Sequence, residues 1–312
     1  MAARRYAVGI DLGGTAVKYA LVASGGEVLF SGKLPSRAAE GAAAVGGQLI
    51  EAARICCAEA ARLGFAPEGI GVGTPGVVTP EGVVAGGAEN IPGWENVDLA
   101  KLLGDATGLP VRAENDANLM ALAETLYGAG RGASDVVFLT VGTGIGGGVL
   151  IGGRLFGGFG NRGTELGHIA LKCDGEPCAC GSTGCFEHYA STAALVRRYR
   201  ERCTAAGIVP AAQDGEMLVA LYRAGDPTAV AAMEEHWEFM SFGVASLINI
   251  FAPERVVIGG GISEAGEFYF EALRERVARR AMPVCGAGTR IVAATLGNRA
   301  GCLGAAGLII NE

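Results

Sequence analysis

The stretch Tyr6-Ala-Val-Gly-Ile-Asp-Leu-Gly-Gly-Thr-Ala-Val-Lys-Tyr-Ala-Leu-Val22 contains two apolar runs on either side of a glycine turn. A third apolar run follows at residues 27–33, after another pair of glycines. Short apolar runs separated by such turns are typical of strands that pair as hairpins. The stretch therefore predicts a fold that opens with a three-stranded β-meander.

Predicted helices and strands alternate along the rest of the chain. The spacing of apolar residues predicts helices over 42–63, 117–127, 191–206, 227–251, 264–280 and 301–310, and strands over 69–73, 111–113, 135–141, 147–151, 255–258 and 291–294. The order seen near residue 6 recurs near residue 135, as a weak internal duplication. We therefore expect an α/β protein with two similar lobes and a ligand-binding cleft between them.

Composition excludes several classes of protein. The net charge of −7, without a basic block, disfavours nucleic-acid binding. No apolar run approaches the roughly 18–20 residues that a membrane span requires, and the first residues lack an apolar signal segment. The nine cysteines are odd in number and mostly scattered, which indicates reduced thiols. We expect a cytoplasmic protein that binds neither nucleic acid nor membranes.

Three glycine-rich loops are candidate phosphate sites. They are Asp11-Leu-Gly-Gly-Thr15 with Lys18 nearby, Gly142-Thr-Gly-Ile-Gly-Gly-Gly148, and Gly259-Gly-Gly261. Backbone amides, a hydroxyl and an ammonium group can together cradle an anion, although the first loop is equally explained as a hairpin turn. The second contains G-x-G-x-x-G, but a predicted strand follows it where the dinucleotide fingerprint requires a helix. Three such loops favour a polyphosphate nucleotide.

One histidine and three cysteines form a candidate metal site. His168, Cys178, Cys180 and Cys185 provide a closed set of four ligands, which suits structural zinc. Buried free thiols are the alternative interpretation. A zinc-dependent hydrolase is disfavoured, because catalytic zinc keeps an open coordination position.

Several polar residues suggest hydroxyl chemistry. Glu114-Asn-Asp116 follows a predicted strand and begins a helix, so Asn115 or Asp116 is an N-cap candidate. The functional alternative is a carboxylate that accepts the proton of an attacking hydroxyl during phosphoryl transfer. Asn90, Glu165 and Glu187 are interpreted either as surface groups or, together, as ligands for a polyol.

Taken together and in this order, the motifs resemble the ROK family (repressors, open reading frames and sugar kinases) over essentially the whole chain. Within the family they are most similar to bacterial ATP-dependent glucokinases. The resemblance implies the actin-like ATPase fold of sugar kinases, with two α/β lobes that close over sugar and nucleotide. The lobes are expected at 1–116 and 117–298, with a helix at about 299–312 returning to the first.

The resemblance also implies roles for individual residues. Asp116 is the expected general base, which takes the proton of the hexose 6-hydroxyl. The other expected sugar ligands are Asn90, Asn115, Glu165, His168 and Glu187. ATP and Mg²⁺ are expected at Asp11, Gly13, Gly14, Thr15, Lys18, Gly142, Thr143, Gly144, Gly259, Gly260 and Gly261. Structural zinc is expected at His168, Cys178, Cys180 and Cys185.

The expected reaction is phosphorylation of D-glucose to glucose 6-phosphate. Kinases for N-acetylmannosamine, N-acetylglucosamine, fructose or allose are alternatives within the same fold, and a non-catalytic sugar sensor is an alternative of another class. The resemblance also suggests a homodimer. A repressor is disfavoured, because the first motif begins at residue 11 and leaves no room for a preceding winged-helix domain.

Overall fold

The computed structural model describes residues 4–88 and 90–311, which divide into two compact units. The first unit comprises the chain up to Gly132 together with Leu155–Thr164 and the residues from Leu296 onward. The second unit comprises Ala133–Arg154 and Glu165–Thr295. Within the described residues, no helix combines the length and apolarity needed to cross a membrane.

A five-stranded sheet forms the centre of the first unit. With elements numbered along the chain, the unit contains strands β1 (Tyr6–Leu12), β2 (Ala16–Ala23), β3 (Glu27–Pro35), β4 (Ile70–Thr74), β5 (Val77–Val78), β6 (Val84–Gly86) and β7 (Val111–Asn115), and helices α1 (Ala42–Arg62), α2 (Leu99–Thr107), α3 (Asp116–Tyr127) and α10 (Ala300–Ile310). The sheet order is β3-β2-β1-β4-β7. Strands β1 to β3 pair antiparallel, and β4 and β7 continue in parallel. The predicted meander is confirmed.

The second unit repeats this sheet order. It contains strands β8 (Val136–Val141), β9 (Ile145–Ile151), β10 (Arg154–Leu155), β11 (Arg255–Gly259) and β12 (Arg290–Ala293), and helices α4 (Phe186–Ala190), α5 (Thr192–Ala205), α6 (Gly215–Arg223), α7 (Pro227–Phe251), α8 (Glu267–Ala278) and α9 (Pro283–Gly286). Its sheet order is β10-β9-β8-β11-β12, with β8–β9 antiparallel and β11 and β12 parallel. The recurrence supports the weak duplication noted in the sequence and confirms the α/β class.

Helix α10 packs directly on the first sheet because facing positions lack side chains. A Cβ at Gly71 of β4 would lie 1.7 Å from the carbonyl oxygen of Ala305, and one at Gly304 would lie 1.9 Å from that of Leu119 in α3. Contacts this close are possible only between glycine and backbone. The small-residue helix predicted from the sequence is therefore a buried element of the first unit.

Two expectations differ from the structure. The sequence divided the chain at residue 116, whereas α3 lies in the first unit, because it packs against α10. The helix predicted over 264–280 was wrong at both ends: residues 261–265 form a 3₁₀ turn, and α8 spans Glu267–Ala278. Gly266, with a φ of 103°, separates the two segments, since this backbone conformation interrupts a helix.

Candidate functional site

In the first unit, Asp11 is a buried carboxylate at the end of the β1–β2 hairpin. It is 6% exposed and pairs across the hairpin with Lys18, whose Nζ donates to Oδ1 of Asn298 at 3.3 Å. Burial raises the pKa of Asp11, and the positive charge of Lys18 partly opposes that rise. A Cβ at Gly301 of α10 would lie 2.3 Å from Cγ of Asp11. Gly301, which the sequence analysis did not identify, therefore makes room for this carboxylate.

Two hydrogen bonds from Ser36 stabilise the glycine turn after Asp11. Ser36 is buried, and its hydroxyl donates to the carbonyl of Gly14 at 2.8 Å. The backbone N–H of Ser36 donates to the carbonyl of Thr15 at 3.0 Å. The N–H of Gly13 donates to the carbonyl of Ala16 at 2.9 Å, which closes the turn. Gly14 and Thr15 remain exposed, so the turn presents backbone and a hydroxyl at the surface of the unit.

Asn90 lies in an exposed turn beside this loop. Its Nδ2 is 4.0 Å from the position that a Cβ would take at Gly14. The turn is anchored by Trp94, which is buried and donates from Nε1 to the hydroxyl of Thr74 at 2.8 Å. The structure thus brings the expected sugar residue Asn90 close to the expected phosphate loop within one unit.

Asn115 and Asp116 form the junction between β7 and α3. Asn115 is the N-cap: its Oδ1 accepts from the N–H of Ala117 at 2.9 Å and of Asn118 at 3.2 Å. Asp116 is the first helical residue, half-buried, with Oδ1 accepting from the N–H of Ala117 at 2.8 Å. A helix N-terminus favours the anionic form of a carboxylate. The cap interpretation therefore applies to Asn115, and Asp116 is a carboxylate at the N-terminus of α3.

In the second unit, the glycine loop between β8 and β9 contacts Glu187. The N–H of Gly142 donates to the carbonyl of Gly144 at 2.9 Å. Oε2 of Glu187 accepts from the N–H of Ile145 at 2.9 Å, and a Cβ at Gly144 would lie 2.1 Å from the same oxygen. The predicted strand after this loop is confirmed as β9, which excludes the dinucleotide fingerprint.

This glycine loop borders a cavity of about 1020 Å³. The residues that line it include Gly142, Thr143 and Gly261, several residues of α5 (Thr192, Val196, Arg197, Arg200), and Gln213 with Asp214. Arg200 donates to both the carbonyl and Oε1 of Gln213 at 2.9 Å. The contribution of α5 was missed from the sequence, where nothing connects residues 192–200 with residue 142.

The three consecutive glycines that begin at the last residue of β11 have different surroundings. Gly261 lines the cavity, and a Cβ there would meet open space. Gly260 has a φ of 82°, and a Cβ there would lie 2.3 Å from the carbonyl oxygen of Val141. Gly259 is buried with Phe138 and Ala294 as its neighbours. Gly261 is therefore the member of this group placed to meet a ligand in the cavity, and the other two shape the backbone.

His168, Cys178, Cys180 and Cys185 come together as one cluster. Their ligand atoms all lie within 4.8 Å of one another. The Sγ of Cys178 is 3.6 Å from Nδ1 of His168, and the sulfurs of Cys180 and Cys185 are 3.6 Å apart. Zinc–ligand bonds of about 2.0–2.3 Å in a tetrahedron place ligand atoms about 3.5–3.8 Å apart. The cluster can therefore hold a metal ion. All nine cysteines are free thiols, so none of the three in the cluster is tied up in a disulfide.

Glu165 and His168 lie on one short turn of the second unit. Glu165 is exposed and immediately precedes the 3₁₀ turn Leu166–His168, and its carbonyl accepts from the N–H of His168 at 3.0 Å. Nδ1 of His168 lies 3.6 Å from the sulfur of Cys178, and the imidazole has a second ring nitrogen, Nε2. One imidazole can therefore serve the metal site through Nδ1 and a ligand through Nε2.

The sequence profile of the ROK family matches residues 7–312. The chain belongs to the ROK family. A glucokinase of Thermotoga maritima is 38% identical to it over 310 residues, which cover 97% of this chain and 96% of that relative. Among solved structures, a ROK hexokinase from Thermus thermophilus is 40% identical, with a TM-score of 0.83 and 96% of each chain covered.

A second solved structure has bound ligands. It is a ROK family glucokinase from Streptomyces griseus in complex with glucose and AMPPNP, 32% identical to this chain, with a TM-score of 0.81 and coverage of 98% of this chain and 100% of that one. Together these matches confirm the resemblance drawn from the motifs and the actin-like ATPase fold that it implied.

Proposed function

We propose that this ROK-family protein is an ATP-dependent glucokinase, a hexokinase-type phosphotransferase that converts D-glucose and ATP to glucose 6-phosphate and ADP. The observation that carries the proposal is Asp116, a half-buried carboxylate at the N-terminus of α3 beside the Asn115 cap. Relatives that are named glucokinases match almost the full length of the chain, which supports glucose as the substrate.

Asp116 is the proposed general base. It accepts the proton of the glucose 6-hydroxyl as that oxygen forms a bond to the γ-phosphorus, and the bond from phosphorus to the β,γ-bridging oxygen breaks to release ADP. Positioning and charge stabilisation dominate such reactions, so the place of Asp116 in the fold carries the proposal. Asn90, Asn115, Glu165, His168 and Glu187 are the proposed sugar ligands, and their amides, imidazole and carboxylates match a polyol in hydrogen-bonding capacity.

The glycine loops are the proposed phosphate sites. The turn at Gly13, Gly14 and Thr15, exposed at its last two residues, offers backbone and hydroxyl groups. Gly142, Thr143 and Gly261 border a cavity large enough for a nucleotide. Asp11 is the proposed residue that positions Mg²⁺, because carboxylate oxygens are ligands that Mg²⁺ prefers. When bound, Mg²⁺ would neutralise the charge of the phosphates. Lys18, paired with Asp11 across the hairpin, keeps a positive charge beside that position.

We propose structural zinc for the His168, Cys178, Cys180 and Cys185 cluster. Four nitrogen and sulfur ligands at these separations leave no open coordination position. Burial, together with hydrogen bonds that the Cys185 thiol donates to Cys180 and Cys178, raises the pKa of Cys185 to about 12. A cation among the sulfurs would offset that penalty, because thiolates are the metal-binding form. The homodimer and the cytoplasmic location remain predictions.

A coupled assay of ADP release tests the proposal. Mg-ATP is supplied with glucose, mannose, fructose, N-acetylglucosamine or N-acetylmannosamine, and glucose should give the highest kcat/KM. Asp116→Asn should lower kcat by about 10²–10⁴-fold, the contribution typical of a general base, while glucose still binds in calorimetry. Asp105→Asn is the control, because Asp105 is an exposed carboxylate of the same unit, paired with Lys101.

The outcomes separate the alternatives. A preference for an N-acetyl sugar would keep the mechanism and replace the substrate. A folded, zinc-loaded protein that releases no ADP with any of the five sugars, and forms no sugar phosphate when polyphosphate replaces ATP as the donor, would refute the kinase. Sugar binding without turnover would then favour the sensor.

A further inference from the structure

The carboxylate of Glu114 is a junction of hydrogen bonds within the first unit. Oε1 accepts from the N–H of Asn115 at 2.8 Å and from Nδ2 of Asn118 at 3.0 Å. Nδ2 of Asn161 lies 3.0 Å from both carboxylate oxygens and donates also to the carbonyl of Val78 at 2.9 Å. Glu114 therefore joins the β7–α3 turn, which carries Asp116, to the distant segment around Asn161.

Asn161 belongs to a glycine-rich loop, residues 157–164, that contacts the same turn a second time. The Thr164 hydroxyl lies 3.2 Å from Oδ1 of Asn118, a buried residue of α3. The N–H of Gly163 donates to the carbonyl of Gly157 at 2.7 Å, which closes the loop on itself. A Cβ at Gly157 would lie 1.6 Å from Oδ1 of Asn161. The loop is thus shaped around the side chain that reaches Glu114.

Two non-glycine residues of this loop have a positive φ, which is tolerated by asparagine but unfavourable for threonine. Asn161 has a φ of 58° and Thr164 a φ of 68°. A β-branched residue is uncommon at positive φ, and such conformations persist when surrounding contacts hold them. Here the contacts are those to Glu114 and Asn118. Removal of one of these two contacts should therefore allow the loop to leave its position, in addition to breaking a hydrogen bond.

We propose that Glu114 is a positioning residue for the kinase reaction. Its carboxylate clamps the 157–164 loop to the turn that bears Asp116, and the next residue in the chain after the loop is Glu165, a proposed sugar ligand. The role rests on the proposed function. We call the hydrogen bonds of Glu114 to Asn161 the clamp. Loss of the clamp should raise the KM for glucose more than the KM for ATP, because the clamp joins the turn that bears Asp116 to the loop that precedes Glu165.

Kinetics of Glu114→Gln give the first test. Glutamine keeps the shape but places an NH₂ group against Nδ2 of Asn161, so that one acceptor becomes a donor. We expect the KM for glucose to rise about tenfold, as for the loss of one hydrogen bond to a charged group, with the KM for ATP changed less than about twofold. Glu81→Gln is the matched control, since Glu81 is exposed and lines, with Glu114 and Asn161, a small cavity of the first unit.

Trypsin provides a readout that does not depend on activity. Arg162 is exposed within the loop, and cleavage after it reports the population of the released loop. We expect Glu114→Gln to speed cleavage at Arg162 about tenfold, measured by mass spectrometry of the new termini, and Glu81→Gln to leave it unchanged. Asn161→Ala removes the same contact from the loop side together with the hydrogen bond to Val78, so the double variant should cleave more slowly than the product of the two single effects.

The results distinguish the clamp from the proposed function. Cleavage at Arg162 that is unchanged in both Glu114→Gln and Asn161→Ala would refute the clamp. Equal rises in the KM for glucose and for ATP would refute the positioning role, because they would indicate general damage. A wild-type protein without kinase activity would overturn the proposed function and the role within it. If Glu114→Gln does not fold, Asn161→Ala carries both tests.

Discussion

Gly144→Ala is expected to disable the second unit's glycine loop by displacing Glu187. The new Cβ would lie 2.1 Å from Oε2 of Glu187, the oxygen that accepts from the N–H of Ile145 at 2.9 Å. The backbone of Gly144 does not have a positive φ, so alanine itself is not strained there. The new Cβ should therefore displace the Glu187 carboxylate and weaken its hydrogen bond to the loop.

The expected fall in kcat/KM can be worked out from the distance between the new Cβ and Oε2 of Glu187. Ordinary contact begins at 3.4 Å, so either the carboxylate or the loop must move by 3.4 − 2.1 = 1.3 Å. A misplacement of about 1 Å can cost about 100-fold in rate when it involves groups that orient substrates. Because Glu187 is a proposed sugar ligand and the loop lines the proposed nucleotide cavity, kcat/KM should fall about 100-fold for both glucose and ATP.

The assay is initial-rate kinetics with each substrate varied in turn, alongside thermal unfolding. Gly47→Ala is the control, since Gly47 is an exposed position of α1 where a Cβ meets open space. It should stabilise the protein by about 0.4–1 kcal/mol without affecting the rates. If Gly144→Ala retains more than about half of the wild-type kcat/KM, the proposed functional contact between Glu187 and the loop is wrong.

Three further predictions concern the first unit and the metal cluster. Asp11→Asn should abolish activity yet raise Tm near pH 7. Burial raises the folded-state pKa of Asp11, so its ionisation costs stability once the pH exceeds the unfolded-state value, and the gain should vanish in acid. Gly301→Ala should lower kcat/KM for ATP at least tenfold, because its Cβ would lie 2.3 Å from Cγ of Asp11. Cys185→Ser should lose bound zinc, measured by atomic absorption, and raise the KM for glucose about tenfold or more.

Each of these has its own contradicting result. A Tm gain of Asp11→Asn that persists at pH 3 would remove ionisation as its cause. Wild-type ATP kinetics in Gly301→Ala would show that the Asp11 carboxylate has room to move. Cys173→Ser is the control for the cluster, because Cys173 is an exposed cysteine outside it. Equal zinc loss in both cysteine variants would contradict the assigned ligands.

Local patterns predicted the parts of the fold that depend on local chemistry. The helix predicted over 227–251 is an example: α7 begins at Pro227, and the Asp226 carboxylate accepts from the N–H of Ala229 as an N-cap does. Helices α2 and α6 were missed although Asp98 and Asp214 cap them in the same way. Both helices have nine residues, so they offer few apolar repeats to set against the surrounding loops.

Non-local contacts account for the rest of what the sequence did not predict. The metal ligands lie within eighteen residues of one another, and their spacing was enough to group them. Gly301 and Asp11 are 290 residues apart, and only the packing of α10 on β1 brings them into contact. Likewise, Asn161 reaches Glu114 through a loop whose glycines gave no local sign of a polar partner.

Within the second unit, the metal cluster and the glycine loop are mechanically linked. Cys185 precedes Glu187 by two residues, and Glu187 holds the N–H of Ile145 at 2.9 Å. If zinc only shaped the sugar-side residues Glu165 and His168, its removal would raise the KM for glucose alone. Because movement at Cys185 must also reach the loop that lines the cavity, chelation should raise the KM for ATP as well, and Gly144→Ala should reproduce that second effect with zinc still bound.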